Sequence, residues 1–157
     1  MQHIAEYIFI FVFVLLYSIN CFSQTNISGG NVSGNWTVAE SPYQVNGEIT
    51  VVDGTTLTID PGVTVEFQGH YKFIVDGVLL AEGTEADSIF FTVNDTTGFY
   101  DIETTNGGWH GIRFENNTSV DSSKLVYCKI QFGKATNGDD QTTRENDCGV
   151  AIFVDHF

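Results

Sequence analysis

The feature that most constrains the fold is the alternation of apolar and polar side chains in residues 46–75, NGEITVVDGTTLTIDPGVTVEFQGHYKFIV. Within short runs, apolar side chains such as Ile49 and Val51 occupy every second position, which is the period of half-buried β-strands. Turn-forming pairs separate these runs, for example Asp53 with Gly54. Short strands with turns this close together favour a chain that winds in coils over a chain that forms hairpins.

The same construction recurs further along the chain. Three similar segments, VTVEF, SIFF and GIRF, end at Phe67, Phe91 and Phe114, with spacings of 24 (91 minus 67) and 23 (114 minus 91). A constant spacing of this size is typical of a solenoid, in which like residues of successive coils stack about 4.8 Å apart. The spacing predicts an internal ladder of phenylalanines. It also predicts that Glu66, Phe90 and Arg113 stack on the outside of one sheet.

The fold class predicted from these patterns is all-β, a parallel β-solenoid without appreciable helix. An antiparallel sandwich is the alternative, since it also consists of many short strands. The sandwich is disfavoured because no two-residue Asn-Gly hairpin loop lies between paired apolar runs.

The chain divides into three predicted segments. Residues 1–23 contain the apolar run 7–19 and a small-residue cleavage pattern, which indicates a secretory signal peptide, with a retained membrane anchor as the alternative. Residues 24–45 are a polar lead-in and N-terminal cap in which Trp36 covers the end of the core or, alternatively, supplies a platform for a sugar. Residues 46–157 form the coils, and no further membrane span is expected once the leader is removed.

Charge restricts the partners that such a domain can bind. The chain has 20 acidic and 6 basic residues and a formal net charge of −14, which argues against nucleic acid and anionic membranes. Secretion in a eukaryote would make every Asn-x-Ser/Thr sequence a glycosylation acceptor, whereas in a bacterium these sequences would have no such role. They begin at Asn26, Asn31, Asn35, Asn94, Asn116 and Asn117.

Two polar insertions and an apolar terminus interrupt the coil pattern. Residues 94–108 and 135–148 are predicted surface loops, where binding residues usually lie. Residues 149–157, GVAIFVDHF, are apolar almost to the end, which predicts an open coil edge and a chain that is a fragment of a longer protein. An unpaired apolar edge also predicts edge-mediated self-association, which a charge at Ile152 should reduce.

The segments WTVAESPYQV, TLTIDPGVTVEF, GWHGIRF and KLVYCKIQFG carry a family resemblance. Together they resemble the N-terminal part of secreted right-handed parallel β-helix repeat proteins of the pectin-lyase-like superfamily, of the type frequent on Bacteroidetes-type bacteria. This resemblance implies a right-handed β-helix at the cell surface or outside the cell. It leaves the activity open, because the superfamily includes polysaccharide lyases, hydrolases, adhesins and structural repeats.

The residue pattern does not predict a catalytic site. A pectate-lyase-like reaction needs several carboxylates that hold Ca²⁺ and a nearby base, whereas the predicted outer stack supplies one acid, one aromatic residue and one base. We therefore expect a non-catalytic extracellular module for surface display or for binding a polysaccharide or a surface protein. The alternative is the N-terminal part of a polysaccharide lyase or hydrolase whose active residues lie beyond Phe157.

Three small groups of residues are candidate sites. The carbohydrate candidates combine aromatic faces with charged neighbours: Tyr71, Trp109, His110 and Arg113. Packing at a corner of the coils is the alternative explanation for each of them. The Ca²⁺ candidates are acidic residues of one loop: Asp139, Asp140, Glu145 and Asp147. The alternative is a solvated acidic loop that binds no metal. We expect no cofactor, with weak support for Ca²⁺. Cys128 and Cys148 could stack on adjacent coils as a disulfide or stay as buried thiols.

Overall fold

The computed structural model describes residues 23–115, 122–134 and 152–154. These residues form 14 β-strands and a single turn of 3-10 helix at Val38–Glu40. No α-helix occurs among the described residues, as the two-residue period of the apolar positions predicts.

The strands follow one another around five coils. The first coil contains Thr25–Ile27 (β1), Gly30–Asn31 (β2) and Gly34–Trp36 (β3), and the second contains Tyr43–Val45 (β4), Ile49–Val51 (β5) and Thr56–Ile59 (β6). The third coil contains Thr64–Phe67 (β7), Lys72–Val75 (β8) and Val78–Glu82 (β9), and the fourth contains Ile89–Val93 (β10), Gly111–Phe114 (β11) and Lys124–Val126 (β12). The fifth coil contributes Cys128–Ile130 (β13) and Ile152–Val154 (β14).

Successive coils stack to build three sheets. The first sheet has the order β1-β4-β7-β10-β13, the second β2-β5-β8-β11-β14 and the third β3-β6-β9-β12. Every pairing between these strands is parallel. The chain is therefore a right-handed parallel β-helix, so the predicted fold class is confirmed and the antiparallel sandwich is excluded.

Apolar side chains of all three sheets point inward and stack from coil to coil. Tyr43, Val65 and Phe91 are register partners in the first sheet, and each is at most 1% exposed. Ile49, Phe73 and Ile112 form the corresponding stack in the second sheet. Removing these side chains from water stabilises the coils by about 25 cal/mol for each Å² of apolar surface buried.

The register of the first sheet differs from the one that the phenylalanine spacing predicts. Phe91 lies opposite Val65, and Phe67 lies opposite Val93. Phe114 belongs to the second sheet, where it lies opposite Val75. The predicted phenylalanine ladder is wrong because the connections between strands differ in length from coil to coil, so equal spacing in the sequence does not mean equal position in a coil.

The predicted outer stack fails for the same reason. Glu66 lies opposite Thr92 rather than opposite Phe90. Arg113 lies in the second sheet, opposite Ile74. The three residues of the predicted stack therefore do not form one column on the outside of the β-helix.

The coils begin at Thr25, earlier than the boundary at residue 46 that the alternation predicts. The first coil consists of strands of two or three residues and buries few large side chains, so it carries no clear alternation. Trp36 is 6% exposed and stacks on Tyr43, with ring centroids 4.5 Å apart and planes 8° apart. Trp36 thus packs into the core from the last strand of the first coil.

The predicted leader and the second polar insertion, residues 135–148, lie outside the described residues. Among the helices of the described part, none has the length and apolar character needed to cross a membrane. β14 pairs with β11 at one end of the second sheet, and Ile152 is half-buried there.

Candidate binding cleft

Residues 94–110 connect β10 to β11 and form the large described loop at the corner between the first and second sheets. The equivalent connections in the coils below are short, residues 46–48 and 68–71. The loop is folded on itself: the Phe99 amide donates to the Thr96 carbonyl at 3.1 Å, and the Asp101 amide donates to the Gly98 carbonyl at 3.0 Å. The sequence prediction of a surface loop here is confirmed.

Lys134 fastens this loop to the β-helix. Its side chain is only 4% exposed. The Nζ atom donates to the Gly98 carbonyl at 2.9 Å and to the Asn106 carbonyl at 2.6 Å. A buried ammonium group is costly unless hydrogen bonds compensate it, so the two carbonyls and the lysine hold one another in place. Residues early and late in the loop are therefore tied to the coil that follows.

Gly108 makes this arrangement possible by its lack of a side chain. A Cβ atom at Gly108 would lie 2.5 Å from the Cβ of Lys134 and 2.9 Å from the Phe132 carbonyl oxygen. Only glycine therefore leaves space for the lysine stem beside the loop.

A cleft of about 340 Å³ lies between the loop and the corner below it. Its walls contain backbone of three glycines, the apolar side chain of Val93 and six polar side chains. The polar residues are Gln68, His70, Asp95, Thr97, Thr105 and Asn106. A small concave site that combines a few polar groups with apolar surface is the usual form of a ligand pocket.

Asp95 gives the cleft a negative charge. Its carboxylate accepts a hydrogen bond from the Thr97 amide at 2.8 Å. Hydrogen bonds from the Thr97 side chain and backbone lower the pKa of Asp95, because they stabilise its ionised form. The carboxylate is thus ionised at neutral pH and can accept hydrogen bonds from a ligand.

His70, which lines the cleft, contacts His110 of the next coil. The rings of His70 and His110 lie 5.2 Å apart, tilted by 53°. His70 Nε2 lies 2.7 Å from the Lys134 carbonyl oxygen, and the His110 amide donates to the Tyr71 carbonyl at 3.1 Å. Of the carbohydrate candidates, the structure thus brings Tyr71 and His110 together on adjacent coils. Tyr71 is half-buried and packs against the core.

Trp109 lies in the core rather than on the surface. It is 0% exposed, and its ring stacks on Phe67 with centroids 4.1 Å apart. Its Nε1 atom donates to the Gln131 carbonyl at 2.7 Å, which satisfies the indole N–H. A ring with no exposed face cannot stack on a sugar, so the packing interpretation applies to Trp109.

Arg113 is also removed from solvent. It is 8% exposed and forms an ion pair with Glu115. An arginine that is buried and paired with a carboxylate offers almost no open surface to a substrate. The structure therefore does not present Arg113 as the base of a lyase.

The four acidic residues considered for Ca²⁺ and the cysteine Cys148 lie outside the described residues. Within the described ranges, no cluster of three or more His, Cys, Asp or Glu side chains is arranged to hold a metal. Cys128 is half-buried, and its thiol lies 3.4 Å from the Ala81 carbonyl oxygen. Burial raises the pKa of the Cys128 thiol, so the thiolate is disfavoured.

Sequence reasoning missed Lys134 and the exposed aromatic residue of the loop. Tyr100 is 94% exposed and packs edge-on against Phe99, with centroids 5.3 Å apart. The length of the insertion pointed to a functional loop, but nothing in the sequence linked it to Lys134. That contact joins residues 36 positions apart (134 minus 98) and depends on how the coils stack.

The chain is similar in sequence to a short part of a known protein. Protein bark beetle from Drosophila melanogaster is 36% identical to this chain over 112 residues, which is 70% of the chain and 3% of that protein. The chain thus spans 3% of the length of the curated relative that it matches. No family model matches the chain. No solved structure matches it. The resemblance to the pectin-lyase-like superfamily stays a prediction.

Proposed function

We propose that this β-helix is a non-catalytic extracellular module that binds a neutral glycan in the cleft beneath residues 94–110. The observation that carries the proposal is the cleft itself, a polar concave site built where an otherwise short corner is expanded. The rigid coils supply the scaffold, and the loop supplies the recognition surface.

The chemistry of the lining favours a ligand rich in hydroxyl groups. The Asp95 carboxylate and the amide groups of Gln68 and Asn106 can exchange hydrogen bonds with sugar hydroxyls. Val93 offers an apolar wall for the C–H face of a ring. The exposed ring of Tyr100 on the same loop gives a further surface for stacking.

The charge of the protein favours neutral over acidic glycans. The net charge of −14 and the ionised Asp95 would repel a polyuronate. A lyase acting on acidic polysaccharides needs the opposite, a cation-neutralised site with a free base. The ion pair between Arg113 and Glu115 leaves that base engaged. These points support binding of a neutral glycan over an elimination reaction.

An extracellular location is part of the proposal. It is supported by the apolar leader in residues 7–19 and by the frequency of Asn-x-Ser/Thr sequences. Secretion also agrees with the family resemblance of the coils.

A panel of oligosaccharides tests the proposal. Isothermal titration calorimetry would compare neutral hexose oligomers with oligomers of polygalacturonate and alginate, with and without Ca²⁺. We expect saturable binding of a neutral oligomer and a clear loss of affinity in Asp95→Ala and Tyr100→Ala. Tyr127→Asn is the control, because Tyr127 is 56% exposed at a corner outside the cleft lining, and its φ of 47° suits asparagine.

Three results would contradict the proposal in different ways. Binding that is unchanged in both the Asp95 and the Tyr100 variant would place the ligand elsewhere on the β-helix. Formation of unsaturated product from an acidic oligomer would favour the lyase alternative. Absence of binding to the whole panel would favour display or protein binding over glycan recognition.

A further inference from the structure

Within residues 23–115, 122–134 and 152–154, the first coil has no partner strand on one side in any of the three sheets. In the described part of the chain, β1, β2 and β3 are each the last strand of their sheet, with a partner on one side only. Unpaired backbone groups at such an edge can pair with another chain. Proteins usually protect an edge with charged side chains, proline or a covering element. Residues 25–37, TNISGGNVSGNWT, contain neither a charged residue nor a proline.

Each of these edge strands instead contains an asparagine that begins an Asn-x-Ser/Thr sequence. Asn26 lies in β1, Asn31 in β2 and Asn35 in β3. All three side chains are exposed. Of the four such sequences that begin in the described residues, three are therefore in the first coil, and the fourth begins at Asn94.

The register places these three side chains on three different faces of the β-helix. Asn26 lies opposite Gln44, Asn31 opposite Thr50 and Asn35 opposite Thr58; these partners are half-buried polar residues of the second coil. Groups attached to the three asparagines would project outward from separate sheets and would not crowd one another. Bulky groups would therefore encircle the end of the β-helix.

We infer that Asn26, Asn31 and Asn35 are N-glycosylated and form a collar that shields the open edge of the first coil. In the reaction, the side-chain amide nitrogen bonds to the anomeric carbon of an oligosaccharide carried on a lipid diphosphate. The nitrogen loses one proton, and the lipid diphosphate leaves. The nitrogen keeps one N–H and can still donate one hydrogen bond.

The collar would protect the edge by its size. A strand from another chain must approach within about 4.8 Å of β1, β2 and β3 to form backbone hydrogen bonds. Mobile hydrophilic oligosaccharides on all three faces occupy the space that such a coil would need. The inference rests on the extracellular location proposed above, because the modification takes place in the secretory route.

Expression of the full chain with its own leader in insect cells tests the inference. Mass spectrometry of glycopeptides from the secreted protein should find Asn26, Asn31 and Asn35 occupied. Each single change, Asn26→Gln, Asn31→Gln or Asn35→Gln, should remove one glycan from the intact mass. Ser28→Ala and Ser33→Ala should remove the same glycans as the first two changes while they keep the asparagines. Asn46→Gln is the control, because Asn46 is exposed but begins no such sequence.

A second readout tests the shielding role. Sedimentation velocity would compare the secreted wild type with the triple Asn→Gln variant. This variant adds no charge to the edge, whereas enzymatic deglycosylation would convert each asparagine to aspartate. We expect a larger associated fraction for the triple variant at equal concentration. Equal association overturns the shielding role. A secreted protein with the three sites empty overturns the collar alone, whereas unglycosylated protein retained in the cytosol also overturns the proposed location.

Discussion

The ring of Trp109 lies parallel to the ring of Phe67, with centroids 4.1 Å apart and planes 12° apart. Phe67 ends β7 in the third coil, and Trp109 lies two residues before β11 of the fourth coil. The pair thus joins two coils inside the core, at the point where residues 94–110 return to the β-helix. The loop and the core are consequently not independent of each other.

Replacing Trp109 should be among the most destabilising single changes in the described chain. Trp109→Ala empties a fully buried site and should lower the free energy of unfolding by about 3–5 kcal/mol. Trp109→Phe should lower the free energy of unfolding by less than Trp109→Ala, because it keeps an aromatic ring in the core. It still loses the hydrogen bond to the Gln131 carbonyl. Urea denaturation followed by circular dichroism measures both changes. Tyr100→Ala is the control for an exposed aromatic residue and should shift stability by no more than about 0.5 kcal/mol. A comparable small shift for Trp109→Ala would contradict the packing described.

Lys134→Met should release the loop from the coil. The Gly98 and Asn106 carbonyls would lose their hydrogen bonds to the charged ammonium group, and each such bond is worth about 1.5–3 kcal/mol. Hydrogen exchange should then accelerate at the Phe99 and Asp101 amides, which hold the loop turns. Glycan binding in the cleft should weaken in parallel.

Lys124→Met is the matched control for that experiment. Its ion pair with Glu82 is 3.2 Å long, but both side chains are more than half exposed, so the pair is worth about 0–1 kcal/mol. Hydrogen exchange in the loop should not change in this variant. Slow exchange that persists in Lys134→Met would mean that the loop is held by other contacts.

Asp76 and Asp95 should affect stability with opposite dependence on pH. Burial, together with the charges of Glu115 and Asp53, raises the pKa of Asp76, so the folded state holds its proton more firmly than the unfolded state. The contribution of Asp76 to stability is therefore present at low pH and falls as the pH rises above the ordinary value of 3.8. For Asp95 the lowered pKa gives the reverse: its contribution is present above 3.8 and is lost as the pH falls.

Urea midpoints of two variants measure these contributions. At neutral pH, Asp76→Asn should be more stable than the wild type, and Asp95→Asn should be less stable. Both differences should shrink in acid, once the carboxyl groups are protonated. Shifts of the same sign for the two variants at neutral pH would show that the environments of these carboxyl groups differ from those described.

Local patterns in the sequence were enough to predict the strands and their parallel winding. The alternation of Ile49, Val51 and Val65 with polar residues predicts half-buried strands. The short distance between successive turns favours a chain that winds in coils. Register was not predictable in this way. Phe67 and Phe91 are similar residues at a plausible spacing, yet only the full length of each connection decides which residues face each other.

The cleft was predictable only in part. The insertion at residues 94–108 identified the loop, since extra residues at a corner must leave the coils as a surface connection. Lys134 could not be identified, because its contacts with Gly98 and Asn106 arise from stacking of coils. The first coil was missed because it has short strands and little buried surface, so it lacks the alternation that reveals the later coils.

Cross-linking across the first sheet tests the coil stack most directly, since the cleft and the collar both depend on it. In a background with Cys128→Ala and Cys148→Ala, the double variant Glu66→Cys with Thr92→Cys places two thiols at partner positions on adjacent strands. A spacing of about 4.8 Å between their Cα atoms lies within the range that a disulfide tolerates. The comparison variant, Glu66→Cys with Phe90→Cys, has the pairing that the phenylalanine spacing predicts.

Mild oxidation followed by non-reducing electrophoresis gives the result. The structure predicts rapid, near-complete intramolecular cross-linking of residues 66 and 92 and slow, partial cross-linking of residues 66 and 90. Preferential cross-linking of residues 66 and 90, or none in either variant, would contradict the coil register on which the cleft depends.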